Sequence, residues 1–176
     1  IVSAVEVSAG GGVWYGDRFV GALSLDVGVV LRERVRLGLL ALAGTPVTRP
    51  VPRQGEPRGS IESFDLSTFA LLGVCTKTAL VVCGHAFGGA RFTYAAVSTS
   101  PDQPARIFHA RAGLISVPEI GLLARVSYAL MARLFLALDL LAGVPLLKGE
   151  LQVRDLDSYP NPLIDAAALL RVGVRL

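Results

Sequence analysis

Few residues of this chain belong to types that do chemistry, and they fall into three groups. His85 and His109 are the only histidines. An imidazole beside a hydroxyl could act as the base of an acyl-transfer site, with Ser67 or Thr93 as the nucleophile next to His85. No glycine-elbow or triad signature accompanies them, so the residues favour a protein without catalytic activity. Cys75 and Cys83, the only cysteines, flank a turn centred near residue 79 that would set them opposite each other. Facing cysteines meet the short Cβ separation of a disulfide, and an oxidising compartment would keep one; the alternative is a pair of reduced thiols. With His85 they do not make a convincing tetrahedral set, so neither a metal nor a cofactor is expected. The third group is ionic: Glu6, Asp26, Asp65, Asp139 and Asp165 against Arg36, Arg91, Arg125, Arg133, Arg171 and Arg175.

The elements that must position these groups alternate with a period of two, the strand period. In Phe19–Leu31 the odd positions are Phe19, Gly21, Leu23, Leu25, Val27, Val29 and Leu31, and the even ones include Ala22, Ser24, Asp26 and Gly28. Val35–Ala43 resumes the pattern after the short charged link "RER", with Leu37, Leu39, Ala41 and Ala43 opposing Arg36 and Gly38. The same alternation runs through Ala4–Trp14, Phe64–Val74, Leu80–Tyr94, Leu134–Val144 and Ile164–Leu176. Almost every strand charge, and His85 with them, falls on one side. That side is otherwise small, mostly Gly, Ala and Ser.

Links of two lengths join the runs. Tight ones lie at 32–34, 76–78 and 131–133, and looser ones at 15–18, 47–62, 98–105 and 147–163. Seven connections require eight strands, an even number as closure of antiparallel bacterial barrels demands. The segment 106–130 is too long for one spanning strand of about 9–11 residues, and Pro118 breaks ladders. A long hairpin with an irregularity near Pro118 is therefore expected, and a ten-stranded barrel is the fallback. Residues 119–147 also admit a helical reading, which Gly143, Pro145 and the pattern elsewhere oppose.

Composition decides which face is outside. Apolar residues make up 52% of the 176, charged residues 18%, and mean hydropathy is +0.57; soluble domains carry about 25% charged residues. No uncharged run reaches the roughly 20 residues of a transmembrane helix. The Leu- and Val-bearing face suits lipid, and small residues mixed with opposite charges suit a narrow, filled lumen. Trp14, Tyr15, Phe19, Phe64, Phe92, Tyr94 and Phe108 fall towards the loop ends of their runs, where an interfacial girdle would sit. A net charge of +3, spread along the chain rather than gathered in a patch, speaks against nucleic-acid binding. The stretch that begins at Ile1 is not a positively charged segment followed by an apolar one, so a processed chain is expected.

With "SFDLSTFALLGVCTKTALVVCGHAFGGARF" in view, the chain resembles the small outer-membrane β-barrel proteins common in myxobacteria and related Gram-negative bacteria. The shared features are Cys75 and Cys83 across a short turn, a Gly-rich strand with Gly84, Gly88 and Gly89, and the late "LAGVPLL" and "RVGVRL" segments. Leu176 stands where such barrels usually carry an aromatic residue. The resemblance implies an outer-membrane location and no assigned activity.

The expectation is an all-β protein, one domain over residues 1–176: a closed antiparallel up-and-down transmembrane β-barrel of eight strands in the bacterial outer membrane. Its lumen is plugged by side chains, and its role is structural or surface-interacting. An outer-membrane lipid-handling enzyme or narrow transport barrel is the alternative, and a soluble ligand-binding barrel the third reading. Expected partners are outer-membrane lipid and lipopolysaccharide, met by Arg49, Arg53 and Arg58 of the Pro-rich loop 45–60, with the chain a monomer.

Overall fold

A strand with one greasy and one ionic side has to place them in different surroundings, and a sheet closed on itself offers two. The computed structural model has that form. It describes residues 2–16, 19–32, 34–53, 56–99, 112–147, 150–151, 159–160 and 163–176, with side chains described over 2–16, 19–32, 34–48, 62–96, 114–147 and 163–176. The strands are β1 (Val2–Tyr15), β2 (Phe19–Leu31), β3 (Val35–Gly44), β4 (Val47–Arg53), β5 (Glu56–Cys75), β6 (Leu80–Thr99), β7 (Ala112–Ala129), β8 (Leu134–Pro145), β9 (Glu150–Leu151), β10 (Tyr159–Pro160) and β11 (Asp165–Arg175).

Eight of these, β1, β2, β3, β5, β6, β7, β8 and β11, pair antiparallel in a ring. The first closes on the last through Glu6↔Arg175 to Tyr15↔Ala166, and reciprocal bonds between Val5 and Leu176 fasten the seam at 3.1 and 2.8 Å. β3 pairs with β5 from Val35↔Val74 to Ala43↔Leu66. The fallback of ten strands and the helical reading of 119–147 are thereby replaced: that stretch is β7, a turn and β8.

Tight turns lie at one end. Arg34 N–H donates to the Leu31 carbonyl at 3.1 Å across a turn in which Arg32 takes a left-handed φ of 47°. Thr76 and Thr78 tie the β5–β6 turn: the Val82 N–H donates to Thr76 Oγ1 at 3.0 Å, and Thr78 Oγ1 donates to the Leu80 carbonyl. Leu130 N–H donates to the Leu134 carbonyl at 2.9 Å in the third turn.

At the other end, two expectations need correction. The stretch 47–62, read as a loose loop, is largely a ribbon: β4 follows β3 after Thr45 and Pro46 and pairs with the first part of β5, from Val47↔Ser63 to Arg53↔Glu56. Pro118 causes no irregularity either, since Ala90↔Pro118 sits within an unbroken β6–β7 register. The amide and carbonyl of one strand residue point the same way. The Pro118 carbonyl accepts from Leu146 N–H at 2.8 Å, just past the end of β8. The missing N–H thus costs a bond only at the margin of the ladder, where proline is tolerated.

The alternation is unambiguous in burial. Leu23, Leu25, Val27, Leu37, Leu39, Leu72, Leu122, Leu138, Leu140 and Leu170 are exposed around the barrel, Leu39 at 67% and Leu122 at 69%, while Asp26, Asp139, Asp165 and Arg171 are fully enclosed. Monomeric soluble proteins do not present an apolar belt of this kind. Replacing Leu39 with Arg, midway along β3, should cost about 2–4 kcal/mol in a bilayer, read as a lowered urea midpoint of the barrel folded into vesicles; a neutral effect would mean that this face meets water.

Candidate functional site

The inward faces are the even positions of β1, β2 and β3 and the odd positions of β5, β6, β7, β8 and β11. They build three layers. Nearest the tight turns, Asp26 on β2 faces Arg36 Nη2 at 2.5 Å, Arg125 Nη2 at 3.2 Å and Arg171 Nη1 at 3.5 Å, and accepts from Ser8 Oγ at 3.3 Å. Asp139, the cross-strand neighbour of Arg125, accepts from its Nε at 2.9 Å and its Nη2 at 3.1 Å, and also pairs with Arg171 Nη2. Glu6 accepts from Arg36 Nε at 3.0 Å and from Arg175 Nη2 at 2.6 Å. Four guanidiniums thus meet three carboxylates. Arg36 lies flat because its neighbours are bare backbone: a Cβ at Gly28 would come 2.5 Å from Arg36 Nη2.

The middle layer is apolar. Leu40, Leu42, Phe69, Leu71, Phe87, Leu123, Leu141 and Leu169 fill it with Trp14, Ala22 and Ala167, and Phe69 and Phe87 lean together with centroids 4.7 Å apart. This differs from the small and polar lumen expected from sequence. Trp14 is a second correction: its place near a loop end predicts a girdle residue, yet it is 3% exposed and points inward. Tyr15 and Phe19, packed at a tilt with centroids 4.9 Å apart, do lie outside at the loop end, as do Phe64 and Tyr94.

Above the apolar layer the sign of the charge reverses. Arg91 Nη1 donates to Asp165 Oδ2 at 2.6 Å, Thr93 Oγ1 donates to Asp65 Oδ1 at 2.5 Å, and Glu119 is buried close by. Sequence reasoning misses Glu119 because it follows Pro118, where a break is expected. Its odd number, shared with Arg125, is the signal that places it inside.

Arg133 does not join the network: it is exposed in the tight turn before β8, which starts one residue later. Arg175 reaches Glu6 from the rim, its side chain 42% exposed. The backbones of Arg49 and Arg53 lie on β4 and that of Arg58 on β5, while their side chains, and all of His109 and Phe108, lie outside the described residues.

Cys75 and Cys83 are cross-strand partners joined by a disulfide, with Cα atoms 4.1 Å apart, at the turn end of the lumen. His85, two residues on, faces the same way. Among the described residues these three form the one group of potential metal ligands, with donor atoms within 4.8 Å of one another. Ser67 and Thr93 are no partners for this imidazole. Ser67 pairs with Arg91 and Thr93 follows it, six and eight residues along β6 from His85, or roughly 20 Å and more.

No protein-family model matches this chain, and no curated protein sequence does. Solved structures do. A major outer membrane protein from Thermus thermophilus superposes with a TM-score of 0.65 at 14% identity, over 98% of this chain and 99% of that one. Ail, the attachment invasion locus protein of Yersinia pestis, solved with the heparin analogue sucrose octasulfate, gives 0.57 at 11% identity over 98% and 97%. Neisserial surface protein A gives 0.55 at 11% over 98% and 96%. What these share with the chain is the fold, that of small outer-membrane β-barrels.

Removing one member of a buried ionic cluster strands the others. Asp26→Ala should destabilise the barrel by about 3–5 kcal/mol, whereas Arg133→Ala in the exposed turn should stay within about 0.5 kcal/mol of the parent. Urea titration followed by the heat-modifiable gel band distinguishes the two, and an unaffected Asp26→Ala barrel would show that the cluster does not hold the lumen together.

Proposed function

We propose that the chain is an outer-membrane barrel with a plugged lumen whose role is structural or surface-interacting, its contacts made at the loop end. The observation that carries this reading is the inversion of the two faces: leucines and valines outside, aspartates and arginines within. Water would stabilise the opposite arrangement, and hydrocarbon this one. The likeness to structures of outer-membrane barrels supports the same address, and the disulfide accords with an oxidising compartment. Cys75, Cys83 and the Gly-rich β6 support the finer kinship with the myxobacterial type.

Two features support surface contact over transport. Among the described residues, Leu40, Phe69, Phe87 and Leu123 pack together in the lumen between its two ionic layers. And β5 and β6, 20 residues each, are far longer than the roughly 9–11 residues a spanning strand needs. Their upper halves stand beyond the apolar band, with β4 alongside. Arg49, Arg53 and Arg58 belong to this projecting ribbon, and arginine suits phosphate and sulfate groups. The partner is an anionic surface glycan of the lipopolysaccharide kind. Ail, solved with a sulfated sugar, is a barrel of the same fold. At the level of the apolar belt the closed ring leaves no strand edge free for a second copy, which favours a monomer.

Three measurements test the reading. The purified chain should migrate faster unboiled than boiled and require detergent, and a species monodisperse in plain buffer would overturn the membrane assignment. Replacing Arg49, Arg53 and Arg58 together with Glu should weaken binding to lipopolysaccharide vesicles about tenfold or more at low salt, with the difference shrinking as salt rises. Unchanged binding would remove these arginines from the contact. Planar bilayers holding the parent chain should show no discrete conductance, and unit steps would refute the plug.

A further inference from the structure

The tight-turn end of the lumen holds a group that the barrel reading leaves unused. Cys75 and Cys83 face each other across β5 and β6, and His85 follows Cys83 on the same inward face. Opposite His85 stands Gly73, where any side chain would collide with the imidazole ring. That gap lets the ring lean over β5 towards Cys75. His85 is 3% exposed, yet among the described residues neither Nδ1 nor Nε2 makes a hydrogen bond of full geometry, the Leu123 backbone offering only a loose contact. A buried polar group is ordinarily satisfied, and here both sulfurs lie within 4.8 Å of the nearest ring nitrogen.

We propose that Cys75, Cys83 and His85 form a latent three-ligand site for a thiophilic monovalent cation of the copper(I) type, closed while the disulfide is intact and opened by its reduction. Thiolates select soft ions, and imidazole accepts copper. Metal–sulfur bonds of about 2.3 Å place two bound sulfurs roughly 4 Å apart, a separation that facing side chains on neighbouring strands reach once the S–S bond is gone. A metal and the disulfide are alternatives at one place, so the absence of a tetrahedral ligand set does not count against a three-coordinate ion.

Charge selects the monovalent ion. Two thiolates and one such cation carry a net negative charge. Arg125 is the cross-strand partner of Cys83, Arg36 that of Gly73, and in their layer Arg36, Arg125, Arg171 and Arg175 outnumber Glu6, Asp26 and Asp139. A net anion is matched there, whereas a divalent ion would leave the complex neutral and the excess arginine charge unanswered.

The opening step balances as a thiol–disulfide exchange with an external dithiol. Its thiolate attacks Sγ of Cys75, which is half-buried, while Cys83 is enclosed. The Cys75–Cys83 bond breaks, and Cys83 leaves as thiolate beside Arg125. The second thiol of the reductant then releases Cys75. The dithiol loses two electrons, the disulfide gains them, and the two thiol protons pass to water as the cation binds.

The test uses the full chain folded in detergent, reduced with a phosphine, which leaves no competing thiol, and equilibrated without oxygen against copper(I) held by bicinchoninate. The reduced chain should retain one copper, and the oxidised chain and a Cys75→Ser/Cys83→Ser double variant none. His85→Ala should bind at least about tenfold more weakly, since losing a ligand costs no less than losing a ligand's own supporting contact. Heat-modifiable migration reports the fold of every sample. The proposal fails if the reduced parent retains no more copper than the double variant, if His85→Ala binds as tightly as the parent, or if the reduced chain loses its folded band.

Discussion

An unpaired peptide group in hydrocarbon costs several kcal/mol, and this constraint shapes everything else in the molecule. Strands with leucine and valine along one face can span a bilayer only when both of their edges are bonded. The ring closed by β1 with β11 and by β3 with β5 removes every edge at the level of the belt. Closure in turn creates an interior, and the polar half of each strand has nowhere else to go. The buried ions are thus a consequence of the period of two combined with a hydrocarbon exterior.

That interior is solved in layers. Opposite charges placed directly across neighbouring strands, as Arg125 and Asp139 are, satisfy one another only in the observed register. A slip of one residue would turn all of them towards lipid. Buried ion pairs are poor sources of net stability; their effect here is to penalise every wrong register. The apolar layer above them separates the arginine-rich end from the carboxylate-rich one, which holds Asp65, Glu119 and Asp165, the last paired with Arg91. Side-chain packing thus fills the lumen that strand closure creates, consistent with the width of an eight-stranded barrel.

The two ends of the molecule differ for the same reason. Tight turns finish close to the belt, and the reducible Cys75–Cys83 pair lies there, under the ionic layer. The loop end carries long ribbons that continue pairing after the belt has ended, through β4, β5, β6 and the first half of β7. Backbone exposed to water needs no closure, so these ribbons are free to vary in length. The surface contact proposed for this protein is placed at that end.

Much of this was legible in the residues. A period of two is local, so the alternation of Phe19–Leu31 or Leu134–Val144 announced strands, and the scarcity of Lys and Glu on the polar side announced which face was enclosed. Counting turns was enough for eight strands. Legibility ended where a residue's meaning depends on its partner across the ring. Leu40, Leu42 and Trp14 look like lipid-facing or girdle residues by type, yet their even positions point them inward, where facing strands supply Phe69, Leu71 and Phe87. Arg133 keeps the inward parity but falls in a turn, and Pro118 looks like a break but meets only the end of β8. Local period thus determined the strands and the two faces from sequence alone. Which residues share a layer, and which cation meets which carboxylate, was decided by the register of closure, because those contacts join residues as far apart as Glu6 and Arg175.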